Sequence, residues 1–220
     1  MLTRTNAGSS QFDGVNFSLE KRYSHNWAAR ISYALGYARG NSEADQTNQN
    51  NYQLLGDPRL DLDFGPLNAD RRQNLVISGR VEIPRTHGLT VSGASRYMTG
   101  MPMNMINSAV AADRNGLLFD LLPAGTYCGA GLNSICVDNR GGRTGARGPS
   151  FTQTDLKFSY RFRPGKQTID ASLEAYNIFN VANFSNPTAD QRLSDFLVLS
   201  ALSGGNGRPR AAQFSLRFGF

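Results

Sequence analysis

The sequence contains few residues that support catalysis or metal binding. Two histidines and two cysteines occur among its 220 residues. His25 and His87 each fall in a short connection between segments of strand-like pattern, so no serine–histidine–acid triad or set of metal ligands can be assembled around them. No pair of carboxylates is placed for acid–base catalysis either. We therefore expect no enzyme activity, no cofactor and no metal site.

Long apolar runs are also missing. No stretch approaches the roughly 18 consecutive apolar residues of a spanning helix, which excludes a helical membrane protein. The first residues, MLTRTNAGSSQFDG, lack the apolar centre of a secretory signal. We therefore expect either a cytoplasmic protein or a portion of a longer chain.

Charged residues are scarce as well. They make up 18% of the sequence, against about 25% in typical soluble domains. The net charge is +6, which permits contact with nucleic acid or with lipid phosphates and establishes neither. The arginine–glycine segments at 140–148 and 204–210 lack the interleaved aromatic residues of nucleic-acid binders. We interpret them as external loops and expect no nucleic-acid partner.

What the sequence does contain is strict alternation of apolar and polar residues. The pattern recurs in seven segments, most of them about nine to eleven residues long, and it has the period of a β-strand. The segments are 14–23, 27–37, 74–84, 89–98, 154–164, 168–177 and 213–220. The sequence therefore predicts an all-β protein with about seven strands.

The connections between these segments alternate between short and long. The short ones are SHN, RTHG and PGKQ, and the long ones cover 38–73, 100–152 and 178–209. Outer-membrane barrels show this alternation, with tight turns in the periplasm and long loops outside the cell. A soluble sandwich or lipocalin-like barrel also alternates, but it buries its apolar face and has shorter loops. The pattern favours the antiparallel transmembrane barrel.

Each position in the alternation predicts an environment. The polar faces carry the residues expected to face the lumen: Arg30, Arg80, Glu82, Asp155, Lys157, Arg161, Asp170 and Glu174. The apolar faces of the last strands carry residues expected to face lipid: Phe158, Tyr160, Phe162, Phe214, Leu216 and Phe218. Aromatic residues near strand ends predict interfacial girdles: Tyr23 and Trp27 at the periplasmic end, Tyr37 and Tyr97 at the other.

The longest connection contains both cysteines. Cys128 and Cys136 have seven residues between them. In an exported, loop-rich region, a disulfide is the simplest interpretation, with free thiols as the alternative; a metal site would need more ligands.

Two apolar runs, LLFDLLP at Leu117–Pro123 and FLVLSALS at Phe196–Ser203, also lie in the long connections. We expect them to fold back onto neighbouring loops or the barrel rim, although they could instead mark a ligand surface. The Ser-Asp before the second run could begin a short helix.

Four stretches resemble the C-terminal half of TonB-dependent outer-membrane receptors. They are NADRRQNLVISGRVEIP, DNRGGRTGARGPSFTQTDLKFSYRF, LEAYNIFNVANFSNP and RPRAAQFSLRFGF. The likeness is greatest to Oar-like receptors, whose chains begin with a carboxypeptidase-regulatory-like domain. It implies that residues 1–220 are the C-terminal portion of a barrel of about 22 strands, without the plug domain and the N-terminal strands. It also implies energised import of a scarce ligand through TonB.

The last strand, QFSLRFGF, has an implied role of its own. In the family that it resembles, alternating aromatic residues and a terminal Phe are recognised by the barrel-assembly machinery. The corresponding residues here are Phe214, Leu216, Phe218 and Phe220. Alternatively, this segment is an ordinary strand of a sheet.

Seven strands leave two unpaired edges, which lipid does not tolerate. We therefore expect a partial barrel whose partners are outer-membrane lipid and lipopolysaccharide, the assembly machinery, the TonB complex and an unknown ligand. A passive channel, a structural barrel and a soluble β-sandwich binding module are the alternatives.

Overall fold

The computed structural model describes residues 8–41, 64–86, 88–108, 120–203 and 209–220. His87, residues 117–119 of the first apolar run and residues 204–208 of the second arginine–glycine segment lie outside these ranges. Within the ranges, no helix has the length and apolar character that crossing a membrane requires.

Seven long strands carry the alternation. In chain order they are β1 (Ser10–Ser24), β2 (Trp27–Gly40), β3 (Gln73–Glu82), β4 (Leu89–Met98), β5 (Phe151–Phe162), β6 (Thr168–Tyr176) and β7 (Ala211–Gly219). Each overlaps one predicted segment, and the described residues contain no helix, so the all-β prediction is confirmed. Even the nine residues of β6 or β7 extend about 30 Å, the thickness of a bilayer's hydrocarbon core.

The strands form one antiparallel sheet in which neighbours in sequence are neighbours in space. The order runs from β1 to β7 without a crossover, and the short strand Gly65–Pro66 adds to the end of β2. Among the described strands, nothing pairs with the outer edge of β1 or of β7, so the sheet is open.

Tight turns join the strands at one end of the sheet. Between β1 and β2, His25 and Asn26 have φ angles of 53° and 67°, and Ser24 pairs directly with Trp27. Two consecutive positive φ values are typical of a type I′ turn, whose twist matches that of the flanking strands. The turn between β5 and β6 contains Gly165 at φ 67°. The short connections are therefore located where the sequence predicts them.

The strand register gathers the apolar side chains on one face of the sheet. Phe158 lies opposite Val91 and Leu173, and Leu173 lies opposite Phe214. The predicted lipid-facing residues all share this face by strand period and register: Phe158, Tyr160, Phe162, Phe214, Leu216 and Phe218. Phe158 is 41% exposed and Phe214 is 69% exposed. A soluble protein would bury such a face in its core. In a transmembrane barrel the same face contacts lipid and has no protein packed against it.

The buried core of the described chain lies in the long connections instead. It comprises Met103, Met105, Leu122, Val137, Ala146 and Leu197. Three small antiparallel ladders support it: Pro102–Met103 with Ala146–Arg147, Ile106–Asn107 with Asp120–Leu121, and Gly125–Cys128 with Cys136–Asn139. The connections thus form an ordered layer at the loop end of the sheet, which we call the loop layer.

The second apolar run packs into this layer without forming a helix. Leu197 is completely buried and has a φ of 54°, which a helix does not permit. Its amide donates to the carbonyl of Thr188, and its carbonyl accepts from the amide of Ile135. The possible helix was therefore wrong, because neighbouring loops satisfy the backbone. The expectation that this run folds back onto other loops is confirmed.

An aromatic ring covers two glycines on the polar face of β1 and β2. Gly14 pairs with Gly36 across the two strands. A Cβ atom placed on Gly14 or Gly36 would lie 3.0 or 2.9 Å from ring carbons of Phe12. The ring therefore occupies the space that two missing side chains leave, as aromatic residues do over glycines in designed sheets.

Candidate functional site

The polar face of the sheet carries charges that pair across neighbouring strands. Lys157 lies opposite Glu174, with 2.5 Å between Nζ and Oε1. Arg161 lies opposite Asp170, with 2.6 Å between Nε and Oδ1. Because water screens these exposed pairs, each contributes little to the stability of the fold. Their main effect is to determine the charge of the surface.

The structure places all eight predicted lumen-facing residues on this polar face. They are Arg30, Arg80, Glu82, Asp155, Lys157, Arg161, Asp170 and Glu174. A cavity of about 660 Å³ lies against the middle of the face and is lined by residues from β1 to β6. Its charged lining includes Arg30 and Lys157 as well as Asp155 and Glu174. The middle of the face is thus a polar wall of mixed charge.

The polar face is more strongly basic towards the tight turns. A second cavity of about 1480 Å³ has six basic residues in its lining: Arg80, Arg85, Lys157, Arg161, Arg163 and Arg217. Two acidic residues, Glu82 and Asp170, also line it. The wall therefore changes from mixed charge in its middle to positive charge at the turn end.

Tyr23 lies on the polar face and not in the predicted lipid-facing girdle. Its hydroxyl donates to Glu82 over 2.7 Å, and the guanidinium of Arg80 lies 4.6 Å from its ring centre. The cause is a β-bulge between Lys21 and Ser24, which shifts the register of β1 by one residue. A one-residue shift moves side chains to the opposite face. The girdle prediction was wrong for Tyr23.

Trp27 keeps its predicted position at the turn end of the apolar face. It lies opposite Val81, and the Nζ atom of Lys21 lies 4.0 Å from its ring centre. The same Nζ donates to the carbonyl oxygens of Ser24 and Trp27 at 3.0 and 3.1 Å. Lys21 thus reaches the polar turn from an otherwise apolar face, as lysines near a membrane boundary do.

Two other aromatic residues mark the loop end of the apolar face. Tyr97 lies opposite Leu75, and Tyr37 follows Leu35 on the same side of β2. Tyr37 and Tyr97 are therefore at the end predicted for the external girdle. Tyr97 remains 37% exposed.

The two cysteines are joined in the loop layer. Cys128 and Cys136 lie opposite each other in the hairpin of Gly125–Cys128 and Cys136–Asn139, and they form a disulfide. This is the pairing that the sequence favours. The disulfide closes the base of a loop that contains Leu132, whose side chain is 92% exposed. No group of metal-ligating residues occurs elsewhere in the part of the chain that the structure describes.

The structure also reveals an ion pair that sequence patterns did not indicate. The carboxylate of Asp70, 3% exposed, pairs with the guanidinium of Arg147 and accepts from the amide of Ala38 at 2.9 Å. Arg147 also donates to the carbonyl oxygens of Asp70 and Gly100. Asp70 precedes two arginines at the entrance to β3, and that unusual charge cluster is the only local signal for this site.

Five arginines surround a third cavity, of about 570 Å³, at the loop end of β2. They are Arg39, Arg72, Arg140, Arg143 and Arg147. Asp138 is the acidic residue in the described lining. We call this cavity the arginine pocket. Burial lowers the pKa of Arg72, and the nearby charges of Arg147 and Arg140 lower it further, while Asp70 opposes that effect. Positive charges are therefore crowded here.

A second acidic residue holds two long connections together. Asp190 accepts from the backbone amides of Ser108 and Arg192 at 3.2 and 3.1 Å. Burial alone would raise the pKa of Asp190, but these hydrogen bonds and the charge of Arg192 outweigh it and keep the pKa below its ordinary value. The ionised carboxylate thus stabilises the loop layer.

Comparison with known proteins agrees with this architecture. The family described as "Outer membrane beta barrel domain" matches residues 1–213. No curated protein matches the chain.

Proposed function

Because the chain belongs to the outer-membrane β-barrel domain family, we propose that its seven strands form part of the wall of a TonB-dependent import receptor. Family membership places the chain in the bacterial outer membrane. The soluble β-sandwich is thereby excluded. Import driven through TonB, and the Oar-like type, rest on the resemblance of the four sequence stretches described above.

The observation that supports a receptor best is the loop layer. Its core residues, such as Met105 and Leu197, are completely or almost completely buried, and the Cys128–Cys136 disulfide closes one of its hairpins. A ligand-capturing surface gains affinity when it is ordered before binding.

The open sheet supports the proposal that further strands complete the barrel. Among the described strands, the outer edges of β1 and β7 have no partner. Each backbone N–H or C=O group left without a hydrogen bond in hydrocarbon would cost several kcal/mol. We propose that the complete receptor supplies the missing strands and a plug that contacts the TonB complex. Phe214, Leu216, Phe218 and Phe220 would then be recognised by the barrel-assembly machinery.

The coding sequence upstream of Met1 provides the first test. A plug-domain sequence in the same reading frame is expected, and its absence would contradict the receptor assignment.

Conductance separates the receptor from a passive channel. The complete protein in a planar lipid bilayer should carry almost no steady current, because a plug closes the pore. A matched variant with the plug deleted should conduct. Steady conductance by the complete protein would favour the passive channel.

A further inference from the structure

The arginine pocket combines side chains that are distant in the sequence. Arg39 is the penultimate residue of β2, Arg72 precedes β3, and Arg140, Arg143 and Arg147 follow the disulfide hairpin. Like charges repel, so five guanidinium groups around one cavity are unfavourable unless anions accompany them. The arrangement needs an explanation beyond packing.

The two carboxylates that the structure describes near the pocket are already engaged. Asp70 lies behind the pocket and is held by Arg147 and by the amide of Ala38. Asp138 accepts from the hydroxyl of Thr126 at 2.7 Å. The buried Nε atom of Arg72 makes no hydrogen bond, and the Asp70 carboxylate lies 3.7 Å from it. Among the described residues, Arg39 and Arg140 therefore bring positive charge to the lining that these two carboxylates do not balance.

The pocket lies directly beyond the apolar face of the sheet. The guanidinium groups of Arg72 and Arg39 are 5.3 and 5.9 Å from the ring centre of Tyr37. Tyr37 shares its side of β2 with Leu35 and Tyr33, which alternate along the apolar face. In an outer-membrane barrel, this is the level of the lipid headgroups.

We propose that the arginine pocket is a binding site for a phosphate-class oxyanion, either a lipid headgroup phosphate or a free phosphate. Guanidinium groups present paired N–H donors that match the oxygens of phosphate. The neighbouring Gly142 has a positive φ, and a Cβ atom placed on it would meet no described atom within 4 Å, so there is open space beside the arginines. The proposal uses only the outer-membrane location and does not depend on TonB.

The test compares the full chain with the double variant Arg39→Gln/Arg140→Gln. Both side chains are exposed, so their loss should not disturb folding, which circular dichroism verifies. Arg72→Gln is a second, single variant of the pocket. Arg163→Gln, at the opposite end of the sheet, is the charge-matched control.

Two probes distinguish the sources of the anion. The first is inorganic phosphate, titrated into the protein in detergent and followed by calorimetry. The second is phosphatidylcholine vesicles that contain lipid A or its dephosphorylated form. The unmodified chain should bind at least one phosphorylated probe, and the double variant should bind about tenfold more weakly or worse. Arg72→Gln should weaken binding in the same direction, and Arg163→Gln should leave it nearly unchanged.

The pattern across the two probes assigns the ligand. Binding of inorganic phosphate supports a site for a soluble oxyanion. Preference for phosphorylated lipid A without binding of inorganic phosphate supports a headgroup site. Absence of binding in both arms overturns the proposal, as does equal binding by the unmodified chain and the double variant or equal weakening by Arg163→Gln.

Discussion

Asp70 and Arg147, 77 residues apart, form an ion pair that joins the entrance of β3 to the loop layer. The same carboxylate accepts from the amide of Ala38 on β2. Three segments of the chain therefore meet at the buried carboxylate of Asp70. Loss of its negative charge should weaken the contacts among all three segments.

Asp70→Asn should lower the free energy of unfolding by about 1–3 kcal/mol, because it leaves Arg147 without a carboxylate partner. Chemical unfolding of the full chain in detergent measures this effect. Asp138→Asn is the control, since Asp138 is exposed and its replacement should cost at most about 0.5 kcal/mol. An equal loss of unfolding free energy in the two variants would show that the ion pair does not stabilise the contact between the entrance of β3 and the loop layer.

Arginine at position 158 should destabilise the barrel far more than arginine at position 159. Phe158 lies on the apolar face opposite Leu173, and Ser159 lies on the polar face opposite Ser172. An arginine near the middle of the lipid costs about 2–4 kcal/mol, whereas the lumen accepts it. Reversible unfolding of the complete barrel in lipid vesicles gives the comparison. Similar costs would contradict the assignment of the two faces.

Thiol labelling should place the tight turns in the periplasm. Asn26→Cys and Lys166→Cys, in a variant whose native cysteines are replaced by serine, should not react with a membrane-impermeant reagent on intact cells. Leu132→Cys, in the exposed tip of the disulfide hairpin, should react. All three should label after the outer membrane is permeabilised. Labelling of the turns alone on intact cells would mean that the topology is inverted.

Phe220 should affect assembly more than the stability of the finished barrel. Its side chain is fully exposed beyond the end of β7, so it contributes no packing to the described chain, and lipid contact adds about 1–3 kcal/mol. Deletion of Phe220 should lower the amount of receptor in the outer membrane, while inserted molecules retain nearly normal unfolding temperatures. Phe179→Asp, at another exposed phenylalanine, is the control. Unchanged abundance together with reduced stability would refute the assembly role.

Low pH should break the contact that Asp190 makes between the long connections 100–152 and 178–209. Its folded-state pKa is lowered, so its stabilising effect is present above the ordinary aspartate pKa of about 3.9 and is lost as the pH falls through the lower, folded value. The protection of the Ser108 and Arg192 amides, measured as their hydrogen exchange relative to the intrinsic rate at each pH, should fall in that acidic range. Asp190→Asn should show the faster exchange already at neutral pH. Protection that is independent of both pH and this substitution would exclude the role of the carboxylate.

The strands were predictable from sequence because their signals are local. A period of two over nine or more residues, with turn residues such as Asn26 between the segments, specifies both the strands and their faces. The predicted face of Tyr23 was wrong, because a single bulged residue reverses the alternation without changing the composition of the strand. The disulfide pairing was also accessible, because the chain has only two cysteines.

The loop layer was less predictable because its contacts are distant in sequence. Asp70 and Arg147 are 77 residues apart, and no spacing rule connects them. Leu197 follows a plausible helix start, yet backbone partners at Thr188 and Ile135 determine its conformation. Tertiary contacts override weak local preferences in such segments. The arginine pocket has the same origin, as its members come from two separate long connections, 38–73 and 100–152.

The ring of Phe12 over Gly14 and Gly36 makes three positions depend on one another during evolution. A methyl group at either glycine would displace the ring from this position, whereas loss of the ring would expose a bare stretch of backbone. Substitutions at these sites are therefore expected to be conditional, each tolerated only in a background that already carries its complement. Relatives should keep the trio or lose it together, and a library that varies one site at a time would underestimate the freedom of all three.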